Sequence, residues 1–214
     1  MQTPELRLHV FSDYICPFCY IGSERLLRLK QEFDLKINWC HVEIHPEVPD
    51  AGLELGQLGY ADSQWKSMQD NLRRLAEEDG LDLILPLRVS RSQKALLLAE
   101  AAKRQGRKIY YPLHKALFDA YFHASRDIGD EETLREIAST VGMEEDSIED
   151  AWREQEYQER LTYNLNLARQ IGIHSTPTFV IGDCVLGGVQ PLDRMREVME
   201  DTLRNIGSVE DRVH

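Results

Sequence analysis

Two cysteines separated by two residues, Cys16 and Cys19, stand where one hydrophobic periodicity gives way to another. Upstream, Leu6, Leu8 and Val10 alternate with Arg7 and His9, the period of a half-buried strand. Downstream, Leu26, Leu29 and Phe33 recur at i, i+3 and i+7, the period of a helix. A strand handing over to a helix in so few residues points to an α/β fold with Cys16-Pro17-Phe18-Cys19 at the handover. Pro17 suits the first helical position, where its missing N–H costs nothing. Cys16 then falls at or beside the N-cap, facing unpaired N–H groups and the positive end of the helix dipole. That setting favours the thiolate, the reactive form of cysteine. Cys19, one turn further in, is expected to be more buried and to resolve a mixed disulfide. The bland alternatives are two small hydrophobes or half of a zinc site.

Composition narrows the function classes. The 214 residues are enough for one large domain or two small ones, and 37 acidic against 25 basic residues give a net charge of −12. Such a surface repels phosphate backbones and anionic lipid, which argues against nucleic acid and membrane as partners; it also serves solubility. The segment Met1-Gln2-Thr3-Pro4-Glu5 has neither a basic nor an apolar signal region, and no apolar run nears the ~18 residues of a membrane span. The expectation is a cytoplasmic protein. In a reducing compartment structural disulfides are disfavoured, and a Cys-x-x-Cys reads as catalytic or metal-binding.

Along the chain, residues 35–44 read as a second strand parallel to the first, with a change of apolar phase near Cys40 that suggests a bulge. Residues 45–60, with Pro46, Pro49 and three glycines, read as a loop long enough to be functional or disordered. Helices follow. Trp65, Met68, Leu72, Leu75 and Ala76 form one face, ended by Gly80. Gln93 to Ala102 is apolar nearly all round. Pro112 opens another helix, Asp130 caps the next, and 147–171 is one long helix or two consecutive ones. Strand chemistry returns at 178–181 and 184–186 around the turn Gly182-Asp183, and Pro191 opens a last helix before a polar, frayed tail from Ser208.

A Cys-Pro-x-Cys after the first strand and a Thr-Pro before a late hairpin resemble the thioredoxin superfamily, and the helical block between narrows the resemblance to its DsbA-like branch. Within that branch the chain is most similar to cytoplasmic FrnE-like proteins. The residues that carry the match are 11–22, Ala120-Tyr121-Phe122, Asp127-Ile128, 172–179 and 188–191. The resemblance implies a thioredoxin-like α/β fold from 1–60 and 173–214, with an all-helical insertion over 61–172. It implies that Pro177 is a cis-proline beside Cys16. The backbone of Thr176 would then lie open for an extended substrate, much as a strand edge does. Phe18 replaces the histidine of the periplasmic oxidants, so Cys16 should be less acidic than theirs. Thr176 stands where a smaller residue is usual, and Cys184 alone cannot form the second cysteine pair of some FrnE relatives.

The expected function is thiol–disulfide exchange on protein or small-molecule disulfides. Cys16 and Cys19 are catalytic, and Pro17, Phe18, Thr176 and Pro177 bind substrate. Asp13 is a candidate proton relay and equally a turn residue. No metal or organic cofactor is expected; glutathione or a dithiol protein could supply electrons, and the sequence leaves the oligomeric state open. A zinc site from Cys16, Cys19, Cys40 and His41 is disfavoured because Cys40 and His41 alternate across one strand. A Cys40–Cys184 disulfide is not expected, because the superfamily sheet order puts their strands on opposite sides of the centre. His45, His174 and Ser175 fall near the active edge by position alone. Two other classes share the architecture. One is a glutathione-dependent isomerase or transferase of the hydroxychromene-carboxylate or kappa type, which typically has serine at position 16. The other is a polypeptide-binding module without catalysis.

Overall fold

The computed structural model describes residues 5–210, with side chains as far as 206. Strand β1 (Leu6–Ser12) leads into helix α1 (Pro17–Leu29) and back through β2 (Leu35–His41). At the other end of the chain β5 (Thr178–Ile181), β6 (Cys184–Gly187) and α8 (Leu192–Glu210) complete the unit. The four strands form one sheet in the order β2-β1-β5-β6, with β1 parallel to β2 and the other neighbours antiparallel. Ile181 pairs with Cys184, so Gly182-Asp183 is a two-residue turn, and Gly182 takes a φ of 56°.

Pairing of β1 with β2 runs unbroken from Leu6↔Leu35 to Ser12↔His41, so the bulge expected near Cys40 is not there. The phase change has another cause: the sheet is covered on both faces. Trp39 enters the main core, while Cys40 packs with Phe11, Val42, Ala168 and Ile173 behind it. A strand buried on both sides does not need to alternate.

Between the halves lie α2 (Asp62–Asp79), α3 (Gln93–Arg104), α4 (Arg107–Phe122), α5 (Glu131–Thr140), α6 (Glu145–Arg153) and α7 (Gln155–Gln170). Gly80, with φ 64°, ends α2, and the Asp130 carboxylate accepts the Thr133 N–H at the start of α5. Three expectations are corrected. Residues 45–60 are not all loop: Leu53–Glu54 (β3) pairs with Arg88–Val89 (β4), and a 3-10 turn follows at Leu55–Leu58. Pro112 lies inside α4 rather than at its start, because Gly106 and the buried Tyr110 set the first turn and the proline removes only one backbone bond. The last helix continues through Glu210, past the frayed tail expected from Ser208, while 211–214 fall outside the described residues. The open question at 147–171 resolves as two helices, with Glu154 extended between them.

The core is continuous across the halves: Cys16, Tyr14 and Trp39 pack in one cluster with Leu96, Phe118 and Phe122. Arg25 of α1, buried at 4 % exposure, adds a polar clamp. It donates to Asp79 at the end of α2 (2.6 Å) and to the Gln190 carbonyl before α8 (2.8 Å). Among the described residues no helix is long and apolar enough to cross a membrane.

Candidate active site

The strand-to-helix turn delivers Cys16 as the N-cap of α1, with Pro17 opening the helix. No side chain caps that end, so the first N–H groups of α1 are left to the Cys16 carbonyl and the surroundings of its sulfur. Cys16 Sγ donates to the Thr176 carbonyl at 3.6 Å, and the Thr176–Pro177 peptide is cis. Pro177 itself does not line the cleft. Its ring lies against Gly22 of α1, where an added Cβ would meet Pro177 Cγ at 3.1 Å and Phe179 Cζ at 3.0 Å. Glycine at 22 thus lets the 174–177 loop come down beside the cysteine.

The two thiols differ. All four cysteines are free thiols. The Cys16 thiol is held below the ordinary cysteine range, first by hydrogen bonding with Cys19, against the cost of burial, and then by Thr176. Cys19 is pushed well up, by burial first and then by Cys16. Cys16 lines the cleft; Cys19 lies beneath it at 1 % exposure. By exposure and acidity the outer sulfur is the one suited to attack a disulfide and the inner one to resolve it.

Asp13 is buried at 1 % exposure, and its carboxylate accepts from Ile44 N–H (2.9 Å), Ile15 N–H (3.3 Å) and Ser92 Oγ (2.9 Å). Burial nevertheless outweighs those bonds and pushes its pKa up to about 6. The carboxylate thus braces the turn, the chain after β2 and the start of α3, and acts on Cys16 through space, where its charge raises the thiol.

A cleft of about 280 Å³ opens beside Cys16. Phe18, His45, His174, Ser175 and Thr176 line it, as do Leu58 and Tyr60 from the 45–60 segment and Trp65, Met68 and Leu72 from α2. The sequence leaves 45–60 as functional or disordered and Trp65 as core or cleft lining; both contribute to the cleft wall. Further along α2, Leu72, Leu75 and Ala76 pack with Ile21.

A buried polar cluster under the site was not foreseen. Tyr14 OH shares a hydrogen bond with His114 Nδ1 (3.0 Å), whose Nε2 meets Ser23 Oγ (2.8 Å). His41 Nδ1 lies 2.8 Å from Glu100 Oε1, which also accepts from Lys103 Nζ (2.7 Å). Burial holds both histidines below their ordinary range. Glu100 stays ionised in spite of burial, through its bond from His41 and the Lys103 ammonium. Cys40 and His41 face opposite sides of β2, and among the described residues no three His, Cys, Asp or Glu side chains converge as metal ligands. Cys40 and Cys184 sit on opposite edge strands, β2 and β6.

The family profile described as the DSBA-like thioredoxin domain matches residues 7–200. The chain belongs to that family. This DSBA-like chain is 28% identical over 200 residues to the uncharacterised protein YwbO of Bacillus subtilis (strain 168), covering 92% of this chain and 96% of YwbO. Its fold is similar to that of a probable DsbA oxidoreductase from Streptomyces coelicolor, with a TM-score of 0.80, 21% identity, and coverage of 92% of this chain and 89% of that one. It is also similar in fold to a 2-hydroxychromene-2-carboxylate isomerase, with a TM-score of 0.76, 18% identity, and coverage of 95% and 99%.

Proposed function

We propose that this DSBA-like chain is a thiol–disulfide oxidoreductase working through Cys16 and Cys19. The observation that carries the reading is the pairing of a depressed thiol at the cleft wall with an elevated one beneath it, both in contact with Thr176. The Cys16 thiolate attacks one sulfur of a substrate disulfide. A mixed disulfide forms, and the other substrate sulfur leaves as a thiolate that takes a proton. Cys19 loses its proton and attacks Cys16 Sγ; the mixed disulfide breaks, and the second substrate thiol departs. The substrate gains two electrons, and the protein is left with a Cys16–Cys19 disulfide. Two thiol equivalents, from glutathione or a dithiol protein, restore the pair, so the cycle needs no metal or organic cofactor. The reverse sequence oxidises a dithiol substrate.

In this reading Thr176 offers its backbone to an extended substrate, Pro17, Phe18 and the Pro177 loop frame the sulfur, and Asp13, ionised above about pH 6, tunes the Cys16 thiol or relays its proton. Its setting is a reducing, cytoplasmic one, near the FrnE-like branch by the residues matched at 11–22 and 172–179. The test is trapping. A Cys19→Ser variant should accumulate mixed disulfides that a reductant releases, and Cys16→Ser should accumulate none. Equal capture by both variants, or wild-type protein that leaves a peptide disulfide untouched, would refute the reading.

A further inference from the structure

We propose that Glu47, His45 and Tyr60 form a proton relay at the cleft, in which Tyr60 is a catalytic acid that protonates the departing substrate thiolate and His45 is its proton source. The inference rests on the exchange reading above and adds the group that completes its first step.

The need for such a group is electrostatic. When Cys16 captures one substrate sulfur, the other leaves beside it as a thiolate. None of the residues lining the cleft is a lysine or arginine, so no cation receives that charge. Asp13 is engaged beneath the turn, where it accepts from Ile44, Ile15 and Ser92.

The geometry supplies a donor from the 45–60 segment. His45 and Tyr60 line the cleft together with Cys16. The Tyr60 hydroxyl lies 3.3 Å from His45 Nε2, and His45 Nδ1 lies 2.8 Å from the exposed Glu47 carboxylate. Val48 N–H donates to the His45 carbonyl (3.1 Å), closing a turn that keeps the imidazole and the carboxylate together. The Tyr60 ring is set edge-on to His45 and stacked on Trp65. With Glu47 as acceptor at Nδ1–H, Nε2 is the nitrogen that trades a proton with the phenol, and the carboxylate favours the imidazolium. Burial, and then the charge of Cys16, push the Tyr60 phenol up, so it enters the reaction as O–H. The cleft's other phenol is occupied: Tyr121 accepts from Ser90 N–H (3.4 Å) and donates to the Arg88 carbonyl (3.5 Å). Among the described residues His174, the other imidazole at the cleft, has no carboxylate partner.

In the imidazolium form Nδ1–H donates to Glu47 and Nε2–H to the Tyr60 oxygen, which frees the phenolic O–H for the cleft. As Cys16 Sγ bonds the nearer substrate sulfur, the substrate S–S bond breaks and its electron pair stays on the farther sulfur. That sulfur takes the phenolic proton, the phenol oxygen takes the Nε2 proton, and His45 is left neutral. Water returns a proton to His45, and the two-electron count of the exchange is unchanged. In the reverse direction the same pair accepts the proton of an incoming thiol.

The test turns on the leaving group. An acid matters for a basic alkyl thiolate and little for one that departs readily without a proton. The reduced full chain is mixed in single turnovers with hydroxyethyl disulfide, an alkyl substrate, or with dithiodipyridine, whose thiolate is a weak base; both are uncharged. Each rate is divided by that of dithiothreitol with the same disulfide. Tyr60→Phe keeps the ring and should lower the alkyl-to-aromatic ratio by on the order of tenfold or more. His45→Gln should lower it by a similar factor, and the double variant no further than the lower single, as parts of one relay. A ratio within about twofold of wild type in both single variants, whatever their absolute rates, would overturn the assignment while leaving the exchange reading intact. So would a His174→Gln variant that lowers the ratio when Tyr60→Phe does not. Wild-type protein that leaves both disulfides untouched would instead remove the exchange reading, and this inference with it.

Discussion

Replacing Asp13 by asparagine isolates the cost of a buried carboxylate under the reactive turn. Burial moves this carboxyl from 3.8 to about 6 in the folded protein. At about 1.4 kcal/mol for each factor of ten, the ionised form costs the fold about 3 kcal/mol once the pH is above both values. The sign follows from proton counting. Below about pH 4 the group is protonated in both states and contributes nothing. Between about pH 4 and 6 the unfolded chain releases the proton while the folded chain keeps it, so stability falls as the pH rises. Asparagine keeps an oxygen for Ile44 N–H and Ser92 but turns an amide nitrogen to Ile15 N–H. That loss is a fixed offset of about 1 kcal/mol, independent of pH. The quantity to measure is therefore the change in the difference between the two proteins. Urea unfolding with the cysteines kept reduced should show the variant gaining about 3 kcal/mol on the wild type between pH 4 and 7. With a slope near 3 kcal/mol per molar, that is about 1 M in midpoint. A difference that stays flat over that range, or moves in favour of the wild type, would show that the three hydrogen bonds outweigh burial.

Gly22→Ala should lower stability by about 1 kcal/mol, because the cost of crowding Pro177 and Phe179 exceeds alanine's helix preference; a gain in melting temperature would contradict the packing described. Arg25→Met removes the partner of a buried Asp79 and should cost about 3 kcal/mol in denaturant unfolding. The double variant with Asp79→Leu should recover most of it, and a single variant as stable as wild type would mean that Arg28 alone satisfies Asp79. At pH 7 iodoacetamide should modify Cys16 well before Cys40, whose thiol burial pushes up to about 11; equal rates by peptide mapping would refute the difference.

What could be read from the sequence was mostly local. The handover at Cys16, the turn at Gly182-Asp183, the stop at Gly80 and the cap at Asp130 each depend on residues within one turn or one hairpin. What escaped depended on partners far apart in the chain. The β3–β4 pair consists of two residues on each side, too few to show a period, and its strands are separated by the whole of α2. The stripe Trp65, Met68 and Leu72 has helical spacing whether it meets protein or ligand, so periodicity could not show that it forms a cleft wall. Glu100, the one carboxylate of α3 and the one charge within its apolar run 95–102, was the available sign of a buried polar cluster. Its contact with Lys103 is one turn along the same helix, but its meeting with His41 needed β2 laid against α3.

The Arg25 clamp fixes the C-terminal end of α2. Asp79 is bolted to α1 from both Arg25 and Arg28, whereas Trp65 lies fourteen positions earlier, about 21 Å away along the helix axis. At that distance a tilt of about 10° at Asp79 would displace the indole by roughly 4 Å. An Arg25 that let go of Asp79 would therefore be felt at the cleft wall, at the opposite end of the same helix.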